Sequence, residues 1–383
     1  MQEGLQSLAE ADVAQLVEQL IRNQQVSGSS PLVGSSIDDL PKENSMHVLL
    51  RVGATVLLLI SQVVSAQMPS RDTLDIYWID VEGGAATLIV TPSNESILMD
   101  AGWPRSDERD AQRIQAAMTD AGIDRLNYFI TSHFHTDHVG GLTALANRVV
   151  IDQFIDHGDS VEDNPELWNP YLAVVGGKRR SVTPGETLPL HGMEFMFVTS
   201  NGQTLRAGLS PSEPNALCDE ASSTEPDMGE NGQSVGYLLS FGSFQFLNLG
   251  DLTIDRQHTL ACPVNKLGTV DLLQVPHHGN GLAPELLWAL MPQVTISSQG
   301  PHKGGSADGF EVISQIPGIE DMWQVHRALD TDDAHNTEAR LIANHTDEDE
   351  CLGHWLKATV HQDGQSYAVI NGRNNSRQTY ISQ

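Results

Sequence analysis

His133-Phe134-His135-Thr136-Asp137-His138 sets three imidazoles and one carboxylate within six residues. The apolar run Leu126-Asn127-Tyr128-Phe129-Ile130-Thr131 precedes it, and Val139-Gly140-Gly141 follows. That order predicts a loop leaving a buried strand and turning sharply, with its polar side chains gathered at the strand end. Imidazole and carboxylate together suit zinc and similar first-row metals. Four ligands this close exceed what one tetrahedral ion normally takes from so short a segment, so the spacing points to two ions side by side. The competing reading is a solvated, His-rich surface loop. The HxHxDH order between an apolar strand and a Gly-Gly turn weighs against it.

Other apolar runs end in similar chemistry. Asp251 closes Leu247-Asn248-Leu249-Gly250-Asp251. It is placed either to bridge two ions or to serve as an ordinary turn residue. Val275-Pro276-His277-His278-Gly279 ends another run. It offers one more imidazole ligand and a second His that can act as an acid or hold a substrate oxygen. Asp100 follows Ile97-Leu98-Met99 and can orient a metal-bound imidazole from behind, or cap a turn. His326, in Trp323-Gln324-Val325-His326, reads as a packed side chain.

The chain has 383 residues, 39% of them hydrophobic, enough for a sizeable core. Fifty acidic residues against 21 basic give a formal net charge of −29. Such a surface repels polyanions, so nucleic acid is not expected as a partner. A phosphate-bearing substrate would depend on metals or a local pocket. The three cysteines, Cys218, Cys262 and Cys351, allow one bridge and one free thiol, and the pairing stays open.

Met46 to Ala66 reads as a signal peptide: a short basic start, the apolar core Val52–Ile60 and the small-residue end Val64-Ser65-Ala66. The apolar run is short for a membrane span. Export to the periplasm or the medium is therefore expected, where a structural disulfide can persist. Residues 1–45 are unexpected before such a signal. Val13–Gln19 and Gly28–Pro31 back-translate to sequences resembling the D-arm and T-arm of a tRNA gene, so residues 1–45 are read as a spurious extension. Residues 67–383 then form one catalytic domain, with a polar insertion over 201–233.

Strands are expected over Leu74–Val81, Ala86–Val90, Ser96–Met99, Tyr128–Thr131, Ser234–Ser240, Phe244–Leu249, Asp271–Val275 and Val294–Ser298. Helices are expected over Glu108–Ala121 and Pro284–Leu290, and a final hairpin over Trp355–His361 and Tyr367–Asn371. Apolar strands interleaved with helices imply sheets covered by helices.

Taken together, Asp80-Val81-Glu82-Gly83-Gly84, Asp100-Ala101-Gly102, HxHxDH with Gly140-Gly141, Gly250-Asp251 and His277-His278-Gly279 occur in the order of the metallo-β-lactamase fold. The chain resembles that superfamily over residues 74–330, and looks most like its competence-protein (DNA-uptake) branch. The resemblance implies an α/β protein, a four-layer αββα sandwich with two divalent metals, zinc or manganese, at one sheet edge. His133 and His135 would hold one ion. Asp137 and His138, with one His of the pair (His277 by preference), would hold the other, and Asp251 would bridge. His278 would then protonate the leaving group or contact the oxyanion, and Asp137 would also align the nucleophile.

Two departures from the family stand out. Many members supply a third His to the first ion where this chain reads Gly229-Glu230-Asn231-Gly232-Gln233-Ser234; Glu230 or Asn231 would substitute. The second is Gly300-Pro301-His302-Lys303-Gly304-Gly305-Ser306, where His302 or Lys303 would contact an anionic substrate group. The expected function is a secreted metallohydrolase. It would use a water acidified by the metals to about neutrality, on phosphodiesters or, alternatively, on esters, lactones or amides. A non-enzymatic metal-stabilised binding protein and a di-iron redox protein are the other classes.

Overall fold

The computed structural model describes residues 71–209, 214–219, 225–347 and 350–383. The expected extension over 1–45 and the signal peptide over 46–66 lie outside the described residues, as does part of the insertion.

In chain order, β1 (Thr73–Trp78), β2 (Thr87–Val90), β3 (Ser96–Met99), β4 (Arg125–Ile130), β5 (Val150–Asp156) and β6 (Arg179–Ser181) build the first sheet. The second contains β7 (Thr187–Leu188), β8 (Glu194–Ser200), β9 (Gln203–Thr204), β10 (Gly236–Phe241), β11 (Phe244–Asn248), β12 (Leu272–Gln274), β13 (Val294–Ser297), β14 (Asp321–His326) and β15 (Ile342–Asn344). The chain then returns to the first sheet with β16 (Leu356–His361), β17 (Ser366–Asn371) and β18 (Arg377–Ile381), β16 lying antiparallel to β1.

Alternation along the strands makes the layers. Leu74, Ile76 and Trp78 enter one core while Tyr77 and the following Ile79 enter another. In the second sheet Phe246 and Leu272 join Trp78, whereas Leu247 and Leu273 face the opposite way. Three apolar layers result: one between the sheets and one under the helices on each outer face. The helix Arg109–Asp120 buries Ala111, Ile114, Ala117 and Met118 on the first sheet, positions spaced to share one helix face. Helices Ile254–Ala261 and Pro284–Leu290 cover the second sheet with Leu260, Leu286, Leu287 and Leu290. Each such side chain contributes about 1.5–3 kcal/mol by leaving water. This is the expected αββα sandwich.

A polar knot crosses the middle core. Gln274 Oε1 accepts from Trp78 Nε1 (2.9 Å), Thr87 Oγ1 (2.8 Å) and Asn248 Nδ2 (2.9 Å). Burying that carbonyl is tolerable because three donors satisfy it.

Strands β3, β4 and β5 run parallel, and so do β11 to β14. The loops at their carboxyl ends carry Asp100, His133–His138, Asp251, His277-His278 and Lys303. Open α/β sheets bind ligands at such ends.

The ends of the expected elements agree to within three residues, whereas β5 to β8, β14, β15, β18 and the helices Pro165–Val175, Ile254–Ala261 and Ala307–Ser314 are additions. The segment expected as a plain loop holds β9 and short 3-10 turns at Ala216–Asp219 and Asn231–Gln233. Cys218 pairs with Cys262, pinning that segment beside the end of the helix Ile254–Ala261 and leaving Cys351 as the remaining thiol.

Candidate metal centre

The HxHxDH loop is held by the residues between its ligands. Phe134 is buried in an aromatic cage, with ring centroids 4.9 Å from His157, 4.7 Å from Trp168 and 4.8 Å from Tyr171. That anchor sends His133 and His135 to the other side of the chain. His135 then caps the start of the short helix Thr136–Val139, which turns Asp137 and His138 inward. Two glycines permit the close approach of neighbouring loops. A Cβ at Gly84 would collide with the Asp137 carbonyl, and one at Gly250 would sit 2.9 Å from Ser132 Cβ.

Asp137, His138, Asp251 and His278 offer one ligand atom each, all within 4.8 Å of one another, and all four residues are buried. His138 Nε2 lies 3.1 Å from Asp137 Oδ2, 3.2 Å from Asp251 Oδ2 and 3.2 Å from His278 Nε2. The far nitrogens are tied back. His138 Nδ1 lies 2.8 Å from Asp100 Oδ2, and His278 Nδ1 donates to the Ser298 carbonyl at 2.9 Å. Asp100 is itself fixed by the Ser132 amide (2.8 Å) and hydroxyl (2.7 Å). Both Nε2 lone pairs are thereby aimed at the two carboxylates, the arrangement a metal-ligating imidazole needs.

The electrostatics describe a pocket built for a cation. Burial favours protonated Asp137 and Asp251, but the neighbouring His138 and His278 outweigh it and hold both carboxyls far below the usual range. Burial likewise opposes charge on the imidazoles. Here the Asp251 and Asp137 charges prevail, pushing His138 well up and His278 up to about 9.

His133 lies on the other side of this cluster. It is fully buried, and burial together with His138 keeps its imidazole well below the ordinary value. Its Nδ1 is 3.0 Å from Ser132 Oγ, while its Nε2 is buried with no hydrogen-bond partner among the described residues. An orphaned buried nitrogen requires an explanation, and a metal ion supplies one. His135, its ring centroid 4.7 Å from that of His133, keeps 34% of its side chain exposed and lies 3.4 Å from Glu162 Oε1. The donor set therefore fits divalent ions, four ligands on one side and two imidazoles on the other.

Residues 79–212 match the family model of the metallo-beta-lactamase superfamily. Similar solved structures include the metallo-beta-lactamase fold protein YhfI from Bacillus subtilis, 11% identical, covering 75% of this chain and 100% of that one with a TM-score of 0.42. Another is a diphosphatase of the PhnP family, 12% identical, covering 75% and 98% with a TM-score of 0.38. A third is a subclass B3 metallo-beta-lactamase, MEM-A1, from a soil metagenome, 16% identical, covering 56% and 80% with a TM-score of 0.34. No curated protein matches the chain.

Several expected placements change in the structure. His278, not His277, completes the buried cluster, and both its ring nitrogens are engaged. His277 is 30% exposed, its Nε2 4.0 Å from Asp251 Oδ2 and 3.2 Å from Asn231 Nδ2. The pair takes left-handed backbone, φ 50° and 53°. That region is sparsely populated by non-glycine residues and recurs where function demands it.

Glu230 is not a substitute ligand. Its Oε1 accepts from Ser160 Oγ and the Val161 amide (2.7 Å each), and its Oε2 from the Phe134 amide and His157 Nε2 (2.9 Å each). With four donors on two oxygens it is the staple under the HxHxDH loop. Asn231 does reach the site, its Nδ2 on His277 and its Oδ1 buried without a partner.

His302 turns away, between Asp330 (2.9 Å) and Asp347 (3.2 Å), whose hydrogen bonds and charge raise its pKa. Lys303 turns in. Its Nζ pairs with Asp137 Oδ2 and sits 5.1 Å from the Trp103 ring centroid. It lines a cleft of about 410 Å³ with Glu82, Trp103, Pro104, Arg105, Thr136 and His302. Phe134, His157 and Glu162 went unnoticed in the sequence; the Phe between two ligands was the one available signal.

Proposed function

We propose that the chain is an exported metal-dependent hydrolase that holds two divalent ions, zinc or manganese, and cleaves small phosphodiesters. The observation that carries this reading is the buried Asp137-His138-Asp251-His278 cluster with Lys303 at its open edge. His133 and His135 would hold one ion, and Asp137, His138, Asp251 and His278 the other. When bound, two such ions supply Lewis acidity and a water nucleophile at neutral pH.

The chain's own groups do the rest. Asp100 and the Ser298 carbonyl keep the inner imidazoles aimed and in one tautomer. Lys303, released from Asp137, pairs with an anionic substrate oxygen above Trp103. His277, partly exposed, is the group placed to pass a proton to the leaving oxygen. Lys303 and Arg105 line the cleft alongside Glu82, so two cations stand at this edge of a strongly acidic chain. That favours a small anionic substrate over long nucleic acid.

The second reading, ester, lactone or amide hydrolysis, draws on the same acidic character, because such substrates need no anion site. A panel on the purified, metal-assayed protein separates the two. Turnover of bis-p-nitrophenyl phosphate, lost on chelation and regained with zinc or manganese, is expected. Turnover confined to p-nitrophenyl esters, lactones or β-lactams would refute the phosphodiester assignment. Bound metal without any hydrolysis would point to a binding protein. Export is checked by N-terminal sequencing of the native protein: a start near Gln67 is expected, and one before Met46 would overturn both the signal peptide and the spurious extension.

A further inference from the structure

A second set of metal-type ligands sits at the same end of the sheets and shares no residue with the first. Asp80 follows β1, His326 ends β14, and Cys351 lies in the connection leading to β16. One ligand atom from each lies within 4.8 Å of the others. Cys351 Sγ is 3.0 Å from Asp80 Oδ2. His326 is completely buried; its Nδ1 donates to the Arg327 carbonyl at 2.8 Å, and its Nε2 has no hydrogen-bond partner among the described residues. A tautomer fixed at Nδ1 leaves the Nε2 lone pair free in a dry position, a costly arrangement unless something accepts it.

We propose that Asp80, His326 and Cys351 bind one zinc-type transition-metal ion in a separate site that clasps the two sheets together. Thiolate, imidazole and carboxylate are a zinc donor set, and three protein ligands leave a fourth position for water. Charge closes as well. Arg113 contacts Asp80 Oδ2 at 3.4 Å and Glu82 Oε1 at 3.0 Å, so Arg113 and Glu82 cancel as a pair. Asp80 and a Cys351 thiolate then balance a divalent ion, the thiol proton passing to solvent on binding. Arg113 also braces the ligand backbones, donating to the Asp80 carbonyl at 3.0 Å and the Cys351 carbonyl at 2.9 Å. The geometric consequence is a tie from the first sheet through β1, and from the second through β14, to the segment before β16. Cys351 is partly exposed, which gives an ion a way in.

The test is titration of the metal-free full chain with cobalt(II). The main centre contains no sulfur and the other two cysteines are bridged, so sulfur-to-cobalt charge-transfer absorption reports on Cys351 alone. Wild type is expected to show that absorption with a final amplitude of one thiolate–cobalt bond per chain once the main centre has also taken up its cobalt. Cys351→Ser should lose it entirely. His326→Gln, which keeps the thiol, should weaken the apparent affinity about tenfold or more. In unmutated protein, zinc should also protect Cys351 from iodoacetamide, a readout free of any folding defect in the variants. Absence of sulfur-to-cobalt absorption in wild type, its survival in Cys351→Ser, or an unchanged His326→Gln titration would each overturn the site. Substrate turnover enters none of these readouts, so they stand apart from the hydrolase reading.

Discussion

The two sides of the main centre differ in how completely the fold commits to them. On the Asp137 side, four ligands are buried, both imidazoles are tied at their far nitrogens, and the tether Asp100 is itself doubly held by Ser132. On the His133 side there are two imidazoles, one buried with an orphaned Nε2 and one a third exposed with a distant glutamate beside it. Preorganisation is thus concentrated on one side of the centre. The expected consequence is sequential loading, the Asp137 side filling first and releasing its metal last.

Removing a buried ligand from the Asp137 side breaks the comparison most sharply. His278→Ala is expected to cost about a thousandfold or more in kcat/KM, above the roughly 10²–10³ lost with a single oxyanion donor, because a ligand and its aim are lost together. One metal equivalent should vanish with it. His135→Ala should instead lower the affinity for the weaker equivalent and leave the tighter one in place. Calorimetric titration with zinc distinguishes them, and equal losses at both steps would remove the asymmetry.

Glu230 tests the support rather than the ligands. Glu230→Ala strands donors from Phe134, Val161, Ser160 and His157, each buried donor worth about 1–3 kcal/mol when left unpaired. A loss of about 3 kcal/mol or more in unfolding free energy is expected. Burial favours the protonated acid, but His157, Ser160 and the Phe134 amide outweigh it and hold the carboxyl down to about 2, against an ordinary 4.5. A depressed carboxyl stabilises the fold above its unfolded value and loses that contribution as pH falls from about 4.5 towards 2. Denaturant melts of metal-free protein across that window should show the loss in wild type and a flatter profile in Glu230→Gln. Parallel profiles would deny the staple.

The sequence carried the ligands because they end apolar runs. HxHxDH, Asp251 and the His pair each follow a recognisable strand, and period-2 apolar patterns placed most of the strands that hold them. What it did not carry is direction. His277 and His278 are neighbours of one type, both in left-handed backbone, and nothing local in the sequence marks which one enters the cluster. Glu230 stood where a ligand was expected, yet both its oxygens serve the loop beneath, through partners some 70 to 96 residues away. Asp80, His326 and Cys351 converge across both sheets from 271 residues of separation, which no local pattern encodes.

Asp100 lets the comparison be sharpened without touching a ligand. Asp100→Asn keeps the shape and the contact with Ser132 but weakens the hold on His138 Nδ1. Outer partners of this kind are worth about 10–100-fold in metal affinity or activity. The loss should fall on the tighter equivalent alone, so that the two sides become more nearly equal. An unaltered first binding step would mean that His138 is held by packing, not by Asp100.

Lys303 gives the smallest effect and the most specific one. It pairs with Asp137 in the same place an ion would draw that carboxylate, so it and the ion on that side compete for one oxygen. Lys303→Ala should therefore raise affinity for that ion slightly while raising KM for an anionic substrate about tenfold, the worth of one charge-assisted contact of about 1.5 kcal/mol. Neutral esters should be indifferent to it. A KM rise confined to phosphodiesters ties Lys303 to the substrate anion; an equal fall in turnover for charged and neutral substrates would place it instead in holding Asp137. Steady-state kinetics on the two substrate classes, with metal affinity measured alongside, decides between those roles.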